Sequence, residues 1–335
     1  MKKLFFSLLV LFGSFTLFSC DDNDYFGEDK VEIIFTGQVL DGKDEQGNDK
    51  YKKQEIKEEV YLNPKRIAVY DMSVLDTLDY IGIDTLGIEE IGVAKGNFST
   101  ELEKYSDDKY EELGDLFSIK EENLIKFNPE VVFLGARSIK NYSRIKELLP
   151  KTAVVGFELP QDQFFTTTKN SLNILKKIFN NNESKFDEII NNIDTNLTSI
   201  KEKVDKNLKA LFISVTNRSF SVYGETGRFS VIYNDFGFTT AITNQDIEDK
   251  THGESINPEY ILSINPDIIF VLDHDAARGN SSTLEETLST LSNDINAVKN
   301  NRIVKVDPVS WYIMPGGARG IVKMFNDVNS LLEAS

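Results

Sequence analysis

Two arginines stand at positions where a chain with this pattern would collect an anionic ligand. Arg137 follows residues 131–134, an apolar run typical of a buried strand, and ligands of open α/β sheets bind beyond the carboxyl ends of strands. Arg228 lies in a glycine-flanked loop, residues 223–229, ahead of a predicted helix whose N-terminus also favours anions. Because guanidinium is planar and permanently charged, the pair predicts binding of a planar anionic group.

The sequence offers little side-chain chemistry for catalysis. It has two histidines and one cysteine, and it contains no Gly-x-Ser-x-Gly, His-Glu-x-x-His, Walker loop or dinucleotide fingerprint. A pair of carboxylates acting as acid and base stays open in so acidic a chain. We therefore expect a binding protein without enzymatic activity.

Residues 1–19 have the pattern of a bacterial export signal. Two lysines precede a largely apolar stretch of signal-peptide length that ends in Leu-Phe-Ser-Cys, residues 17–20. This ending resembles the lipobox of bacterial lipoproteins, in which the cysteine is acylated and becomes the mature N-terminus. We predict lipidation of Cys20 and an exported protein anchored to the bacterial membrane on its periplasmic or cell-surface side; the alternative is a chance buried thiol.

The composition limits the partners and the number of domains. The formal net charge of −17, which becomes more negative when the two signal-peptide lysines are removed, excludes nucleic acid as an expected partner. The chain of 335 residues exceeds what one hydrophobic core usually covers, which favours two lobes. Residues 20–30 are acidic and lack apolar periodicity, so we predict a flexible tether.

A repeat indicates how the arginines are positioned. Residues 121–134 contain a helical pattern, an Asn-Pro pair and a buried-strand pattern, and residues 258–271 repeat this order. Two similar α/β lobes are the simplest explanation. We place an N-terminal lobe with a leading β-hairpin in residues 31–160 and a C-terminal lobe in residues 208–335.

The segment between the lobes, residues 161–207, is strongly helical in pattern. Apolar residues recur at steps of three and four along both of its halves. We predict an interlobe helix followed by a second helix. The first could be a rigid strut between the lobes, or the two could be ordinary surface helices.

Several short motifs, taken in order, resemble a known family. From residue 63 to the C-terminus the chain is similar to the iron-siderophore substrate-binding lipoproteins of ABC importers, particularly the catecholate type represented by petrobactin and enterobactin. The motifs are Asn63-Pro64-Lys65-Arg66, Asp71-Met72, Leu75-Asp76-Thr77-Leu78, Gly114-Asp115-Leu116-Phe117, Gly135-Ala136-Arg137, Tyr223-Gly224, Gly227-Arg228-Phe229, Thr251-His252-Gly253, Trp311-Tyr312 and Gly316-Gly317.

The resemblance implies a fold and a set of partners. It implies two Rossmann-like α/β lobes joined by a single long α-helix, as in class III periplasmic binding proteins, with the ligand in the cleft between them. The ligand would be an iron(III)-siderophore, there would be no intrinsic cofactor, and a monomer would deliver its ligand to an ABC permease and its ATPase. A single helix resists bending, so we expect the lobes to hinge only slightly.

The resemblance also implies roles for individual residues. Arg137 and Arg228 would contact the anionic chelate, and Trp311 would lie in the cleft. His252 and Tyr312 would bind iron where a tetradentate siderophore leaves two of the six positions open, since imidazole and phenolate are apt ligands for Fe(III). The alternatives are a loop histidine that only forms hydrogen bonds and an aromatic residue that only lines the cleft wall.

One position departs from the family pattern. Where an arginine usually follows the second Asn-Pro-strand unit, this chain has His274. Either Arg278 supplies the third positive group, or the site suits a less anionic or differently shaped ligand. If His274 lines the cleft as a cation, ligand affinity should increase as pH falls through its pKa.

Two other functions stay open from the sequence alone. Related two-lobed proteins bind heme or a corrinoid through His, Tyr or Met, so a heme or corrinoid transport lipoprotein is the main alternative. The other is an adhesion or structural lipoprotein, in which the repeated lobes would only pack together.

Overall fold

The computed structural model describes residues 29–96, 98–242 and 252–333. The predicted signal peptide, Cys20 and most of the tether lie outside these ranges. The strands are β1 Lys30–Lys43, β2 Asp49–Tyr61, β3 Arg66–Tyr70, β4 Glu90–Val93, β5 Glu111–Glu112, β6 Val131–Leu134, β7 Ala153–Gly156, β8 Lys209–Thr216, β9 Ser219–Tyr223, β10 Thr239–Thr240, β11 Glu254–Ile256, β12 Ile268–Asp273 and β13 Ile303–Val306.

The helices lie between these strands and at the C-terminus. The α-helices are α1 Met72–Ile81, α2 Glu121–Phe127, α3 Tyr142–Leu148, α4 Phe164–Ile178, α5 Glu183–Lys203, α6 Val231–Asn234, α7 Pro258–Ile264, α8 His274–Ala277, α9 Leu284–Leu288, α10 Asn296–Lys299, α11 Pro308–Tyr312 and α12 Ala318–Glu333. Short 3₁₀ helices span Thr100–Ser106, Ile139–Asn141 and Asn180–Asn182.

The N-terminal lobe is built on a parallel sheet with the order β5-β4-β3-β6-β7. Its central strand β6 is a fully apolar run, Val-Val-Phe-Leu, as expected for a strand covered on both faces. The chain goes one way from β3 to β4 and the other way from β6 to β7. The carboxyl ends of β3 and β6 therefore flank the point where strand order reverses, where ligands of such sheets bind.

The leading hairpin packs against the edge of this lobe beyond β7. Strands β1 and β2 pair in antiparallel register, and their inward side chains Ile33, Phe35, Ile56 and Val60 are buried. Tyr142 anchors the hairpin further, because its ring packs edge-on against Phe35 and its hydroxyl donates to Glu58 at 2.7 Å.

The C-terminal lobe has a mixed sheet with the order β11-β9-β8-β12-β13 and β10 beside β8. Strands β8, β12 and β13 run parallel, whereas β9 pairs with β8 in antiparallel fashion. The carboxyl ends of β8 and β12 are neighbours, since Asp273 pairs with Val215. The last residue of β8, Thr216, and the first residue after β12, His274, therefore lie side by side.

The repeated Asn-Pro unit has the same local structure in both lobes. Asn128 ends α2 and Asn265 ends α7, each in the left-handed conformation with φ of 45° and 49°. Asparagine tolerates this conformation, and the proline that follows cannot continue the helix. Each unit leads into a central strand, β6 or β12. The prediction of a mixed α/β fold with two similar lobes is confirmed.

Two antiparallel helices connect the lobes. The N-terminal end of α4 lies at the C-terminal lobe, where Asp235 accepts a hydrogen bond from the Phe165 amide at 3.5 Å. Its C-terminal end lies at the N-terminal lobe, where the Ile178 carbonyl accepts from the Asn63 amide at 2.8 Å. Helix α5 then returns, and its 21 residues span about 32 Å at 1.5 Å each. Thus both α4 and α5 lie along both lobes and form a paired strut.

The last helix, α12, joins the lobes a second time. The buried carboxylate of Asp76 in α1 accepts from the amides of Arg319 and Gly320 at 2.7 and 3.3 Å, in the first turn of α12. Arg319 also pairs with Asp76 and with Asp79, at 3.2 and 2.9 Å. A carboxylate of the N-terminal lobe thus caps α12 and fixes α1 against it.

No helix within residues 29–96, 98–242 and 252–333 is both long and apolar enough to cross a bilayer.

Candidate ligand site between the lobes

Arg137 lies at the point of strand reversal in the N-terminal lobe. It follows β6 by way of Gly135 and Ala136, next to the end of β3 and the start of α1. Asp71 caps α1 by accepting from the amides of Ser73 and Val74 at 2.7 and 3.0 Å. A side chain at residue 135 would place a Cβ 2.0 Å from the Asp71 carboxylate, so the loop that carries Arg137 requires glycine there.

Both predicted arginines converge on one residue of the C-terminal lobe. Arg137 donates to the backbone carbonyl of Tyr312 at 2.9 Å, and Arg228 donates to the same oxygen at 3.2 Å. Their guanidinium groups also lie over the Tyr312 ring, 5.5 and 4.1 Å from its centroid. Arg137 and Arg228, which precede Tyr312 by 175 and 84 positions in the chain, therefore form one cluster around it.

The two guanidinium groups of this cluster form no salt bridge within the described part of the chain. Among the described residues neither Arg137 nor Arg228 has a carboxylate oxygen within 4.0 Å. Burial, and secondarily the charge of Arg137, lowers the pKa of Arg228 from its ordinary value. Because the acceptor that the two guanidinium groups share is a neutral carbonyl, the cluster is suited to an anion.

His274 joins the cluster from the end of β12. Its Nδ1 lies 2.8 Å from the Thr216 hydroxyl at the end of neighbouring β8, and its ring packs edge-on against Tyr312 at 4.4 Å between centroids. Its Nε2 is buried and has no hydrogen-bond partner among the described residues. Burial, followed by the positive charges of Arg278 and Arg228, lowers the pKa of His274. The imidazole is therefore neutral near pH 7.

His252 lies at the rim of the cluster. Its side chain is exposed, and its backbone carbonyl accepts from the Tyr223 hydroxyl at 2.8 Å. Gly253 has a φ of +80°, and a Cβ there would lie 2.8 Å from the Tyr223 ring. The glycine of the Thr-His-Gly motif is thus needed for the loop to approach Tyr223; Thr251 itself lies outside the described residues.

Arg278 ends α8 and is exposed, close enough for its charge to act on His274. Trp311 differs from the prediction that it lies in the cleft, because it is only 2% exposed and packs against Phe212 in the core. Its indole N–H donates to Asp327 of α12 at 2.8 Å, which holds the ring inside the lobe. Trp311 therefore supports α11, whereas its neighbour Tyr312 faces the arginines.

Two contributors escaped the sequence analysis. Thr216 orients His274, and the only signal was its place after a largely apolar run, residues 210–215, at the start of the predicted C-terminal lobe. Asp71 belongs to a quoted motif, but its cap role and its contact with Gly135 depend on the fold. No group of three or more His, Cys, Asp or Glu residues able to hold a metal ion occurs in the described part of the chain.

Comparisons with known proteins agree with this architecture. Residues 67–309 match the family model described as periplasmic binding protein. The chain is 30% identical over 294 residues to the petrobactin-binding protein YclQ of Bacillus subtilis, covering 88% of this chain and 90% of that one. It is 25% identical over 271 residues to the ferric-anguibactin-binding protein FatB of Vibrio anguillarum, covering 79% and 81% of the two chains.

A solved structure shows the same fold. The crystal structure of YclQ from Bacillus subtilis superposes with a TM-score of 0.74 and 28% identity, covering 88% of this chain and 99% of that one. The two-lobed fold, the site at the facing strand ends and the matched residues lead to one conclusion: the chain belongs to the periplasmic binding protein family.

Proposed function

We propose that this chain is the substrate-binding lipoprotein of an ABC iron importer and that it binds an iron(III)-siderophore, of catecholate type, between its lobes. The observation that carries the proposal is the convergence of Arg137 and Arg228 on Tyr312 with no carboxylate in salt-bridge range among the described residues. The relatives named for petrobactin and anguibactin binding support the same class of ligand.

The chemistry of the cluster fits a ferric catecholate. Catecholate oxygens bound to iron carry negative charge in a plane, and guanidinium groups donate to such oxygens with matching geometry. A bound chelate would exchange the neutral Tyr312 carbonyl for anionic acceptors and so relieve the repulsion between Arg137 and Arg228. The Tyr312 ring, with a guanidinium group 4.1 Å from its centroid, adds an aromatic wall for a flat ligand.

The remaining site residues contribute to ligand binding in different ways. His274 and Arg278 contribute on the C-terminal lobe, and Tyr312 and His252 are the predicted iron donors. Trp311 acts indirectly, as the core residue beneath Tyr312. The protein needs no intrinsic cofactor and performs no reaction on its ligand, since binding and release suffice for delivery.

Export and delivery complete the proposal. Cys20 carries the lipid that holds the monomer on the extracytoplasmic side of the membrane, where it meets the permease and, through it, the ATPase. Because α12 and the α4-α5 pair both join the lobes, ligand capture involves only a small hinge movement.

A titration tests the function directly. A ferric catecholate chelate added to the purified protein should quench the fluorescence of the single tryptophan, Trp311, next to the site. Arg228→Ala removes hydrogen bonds from a charged donor, which are worth about 1.5–3 kcal/mol. We expect a loss of roughly 10- to 100-fold in affinity, with a partial recovery in Arg228→Lys, whose ammonium keeps the charge without the planar fork.

The matched control is Arg144→Ala, since Arg144 is exposed and pairs with Glu121 and Glu147 on the flank of the N-terminal lobe. It should bind as the wild type does. Failure of the wild-type protein to bind any ferric catecholate would refute the proposal, and binding of hemin instead would favour the heme alternative.

A further inference from the structure

His274 has the arrangement of a metal-binding imidazole in this site. One ring nitrogen is fixed by a protein group, because Nδ1 lies 2.8 Å from the Thr216 hydroxyl. The other, Nε2, is buried and has no partner among the described residues. Histidines that bind metals in proteins show this division, in which the hydrogen bond at one nitrogen orients the ring and directs the other nitrogen to the metal.

The register of the sheet explains why the ring is held so firmly. Asp273 pairs with Val215 in parallel strands β12 and β8, so His274 and Thr216 are the next residues on neighbouring strands. Asp273 also caps α8 by accepting from the Ala276 amide at 2.9 Å. The backbone at His274 is therefore fixed on both sides. The contact of Nδ1 with the Thr216 hydroxyl then sets the orientation of the ring.

The surroundings of Nε2 identify what it would bind. The imidazole ring packs edge-on against Tyr312, whose phenol is also an apt donor to Fe(III). The guanidinium group of Arg228 lies over the same phenol ring, 4.1 Å from its centroid. A buried ring nitrogen without a partner among the described residues, beside a phenol and an arginine, is matched to the iron centre of an anionic chelate.

We propose that His274 Nε2, together with Tyr312, binds the iron of a ferric chelate that supplies only four of its six donor atoms. This inference rests on the proposed function and narrows its ligand class, because a chelate with six donors leaves no coordination position for the protein. It places the nitrogen donor at His274, in the buried part of the cluster, whereas the family resemblance implies that role for His252, whose side chain is exposed.

Two synthetic probes separate these possibilities. One is the ferric complex of a bis-catecholamide with four donor oxygens, and the other is the ferric complex of a tris-catecholamide with six. Affinities for both are measured with wild-type protein and with His274→Ala, His274→Gln, Thr216→Val and His252→Ala. Retained binding of the six-donor complex shows that each variant is folded.

We expect His274→Ala to weaken binding of the four-donor complex while leaving the six-donor complex unaffected. Thr216→Val should weaken the four-donor complex by about tenfold, as removal of an orienting partner of a metal-binding histidine does. Pulsed electron paramagnetic resonance of the bound four-donor complex should show coupling of iron to an imidazole nitrogen. This coupling should vanish in His274→Ala and persist in His252→Ala.

Several results would overturn the inference. His274→Gln, which keeps a hydrogen-bond donor but offers a poor ligand to Fe(III), would bind the four-donor complex normally if His274 only donated to the chelate. Loss of the nitrogen coupling in His252→Ala would place the donor at His252, and an equal loss for both probes in His274→Ala would indicate a general contact. If wild-type protein bound neither probe, the proposed function itself would fall.

Discussion

The loop that carries Arg137 depends on a close contact that a single methyl group should disrupt. In Gly135→Ala the new Cβ would lie 2.0 Å from Asp71 Oδ2 and 2.8 Å from its Cγ. The Asp71 side chain cannot move away freely, because its other oxygen accepts from the amides of Ser73 and Val74 and caps α1. The substitution must therefore break the cap or shift the loop.

The magnitude follows from these two costs. Loss of an N-cap costs about 0.5–2 kcal/mol, and overpacking of a tight site costs about 1–3 kcal/mol. We expect Gly135→Ala to lower the free energy of unfolding by roughly 1–3 kcal/mol, depending on which of the two gives way. It should also weaken binding of a ferric catecholate, because Arg137 lies two residues further along the same loop.

A double-mutant cycle measures the contact itself. Asp71→Ala removes both the cap and the atoms that the new methyl group meets, so Gly135→Ala should cost little more in that background. The coupling energy should then be about 2 kcal/mol, within the range of residues in direct contact. Urea unfolding followed by circular dichroism gives the four free energies.

The control is Gly96→Ala, where an added Cβ has no atom within 4 Å. Its free energy of unfolding should change by less than about 0.5 kcal/mol. Additive effects of Gly135→Ala and Asp71→Ala would show that the two residues do not constrain each other, and the reasoning about this loop would be wrong.

Two further predictions concern partly buried carboxylates of the C-terminal lobe. The Trp311 indole N–H and the Asp307 amide both donate to one oxygen of Asp327, each at 2.8 Å. Asp327→Ala removes this acceptor, so the free energy of unfolding measured in urea should fall by about 2–4 kcal/mol. An unchanged urea midpoint would contradict this. Burial raises the pKa of Asp235, so the native state holds its proton more tightly than the unfolded state. The unfolding free energy of the wild type relative to Asp235→Asn should therefore fall as pH rises from about 3.9 through the raised pKa, and a pH-independent difference would contradict this.

Local patterns were sufficient to predict several of the elements that position the site. The apolar run at residues 131–134 and the helical pattern before it correspond to β6 and α2, and the two helices between the lobes lie within the predicted helical segment, residues 161–207. The repeated Asn-Pro unit was informative because each asparagine ends a helix in the left-handed conformation, a local property of the chain. The family resemblance is confirmed by the match over residues 67–309.

Long-range register explains what the sequence could not reveal. The pairing of β8 with β12 brings Thr216 to His274, and nothing in either segment specifies that pairing. The burial of Trp311 follows from the arrival of α12, whose Asp327 accepts its N–H, although the Trp-Tyr pair alone made both aromatic rings candidates for the cleft. Adjacent residues of a short helix point in different directions, so only one of them can face the ligand.

The replacement of an expected arginine by His274 changes how charge is arranged in the site. With arginine there, three guanidinium groups would have surrounded Tyr312. Here Arg137 and Arg228 supply the fixed charge over the Tyr312 ring, an imidazole lies beside that ring, and Arg278 is exposed at the end of α8. Two fixed charges compensate a smaller anionic charge than three, and a lone pair offers what an arginine cannot, a bond to a metal. Both changes point in the same direction, toward a chelate that carries fewer catecholate oxygens and leaves iron partly open to the protein.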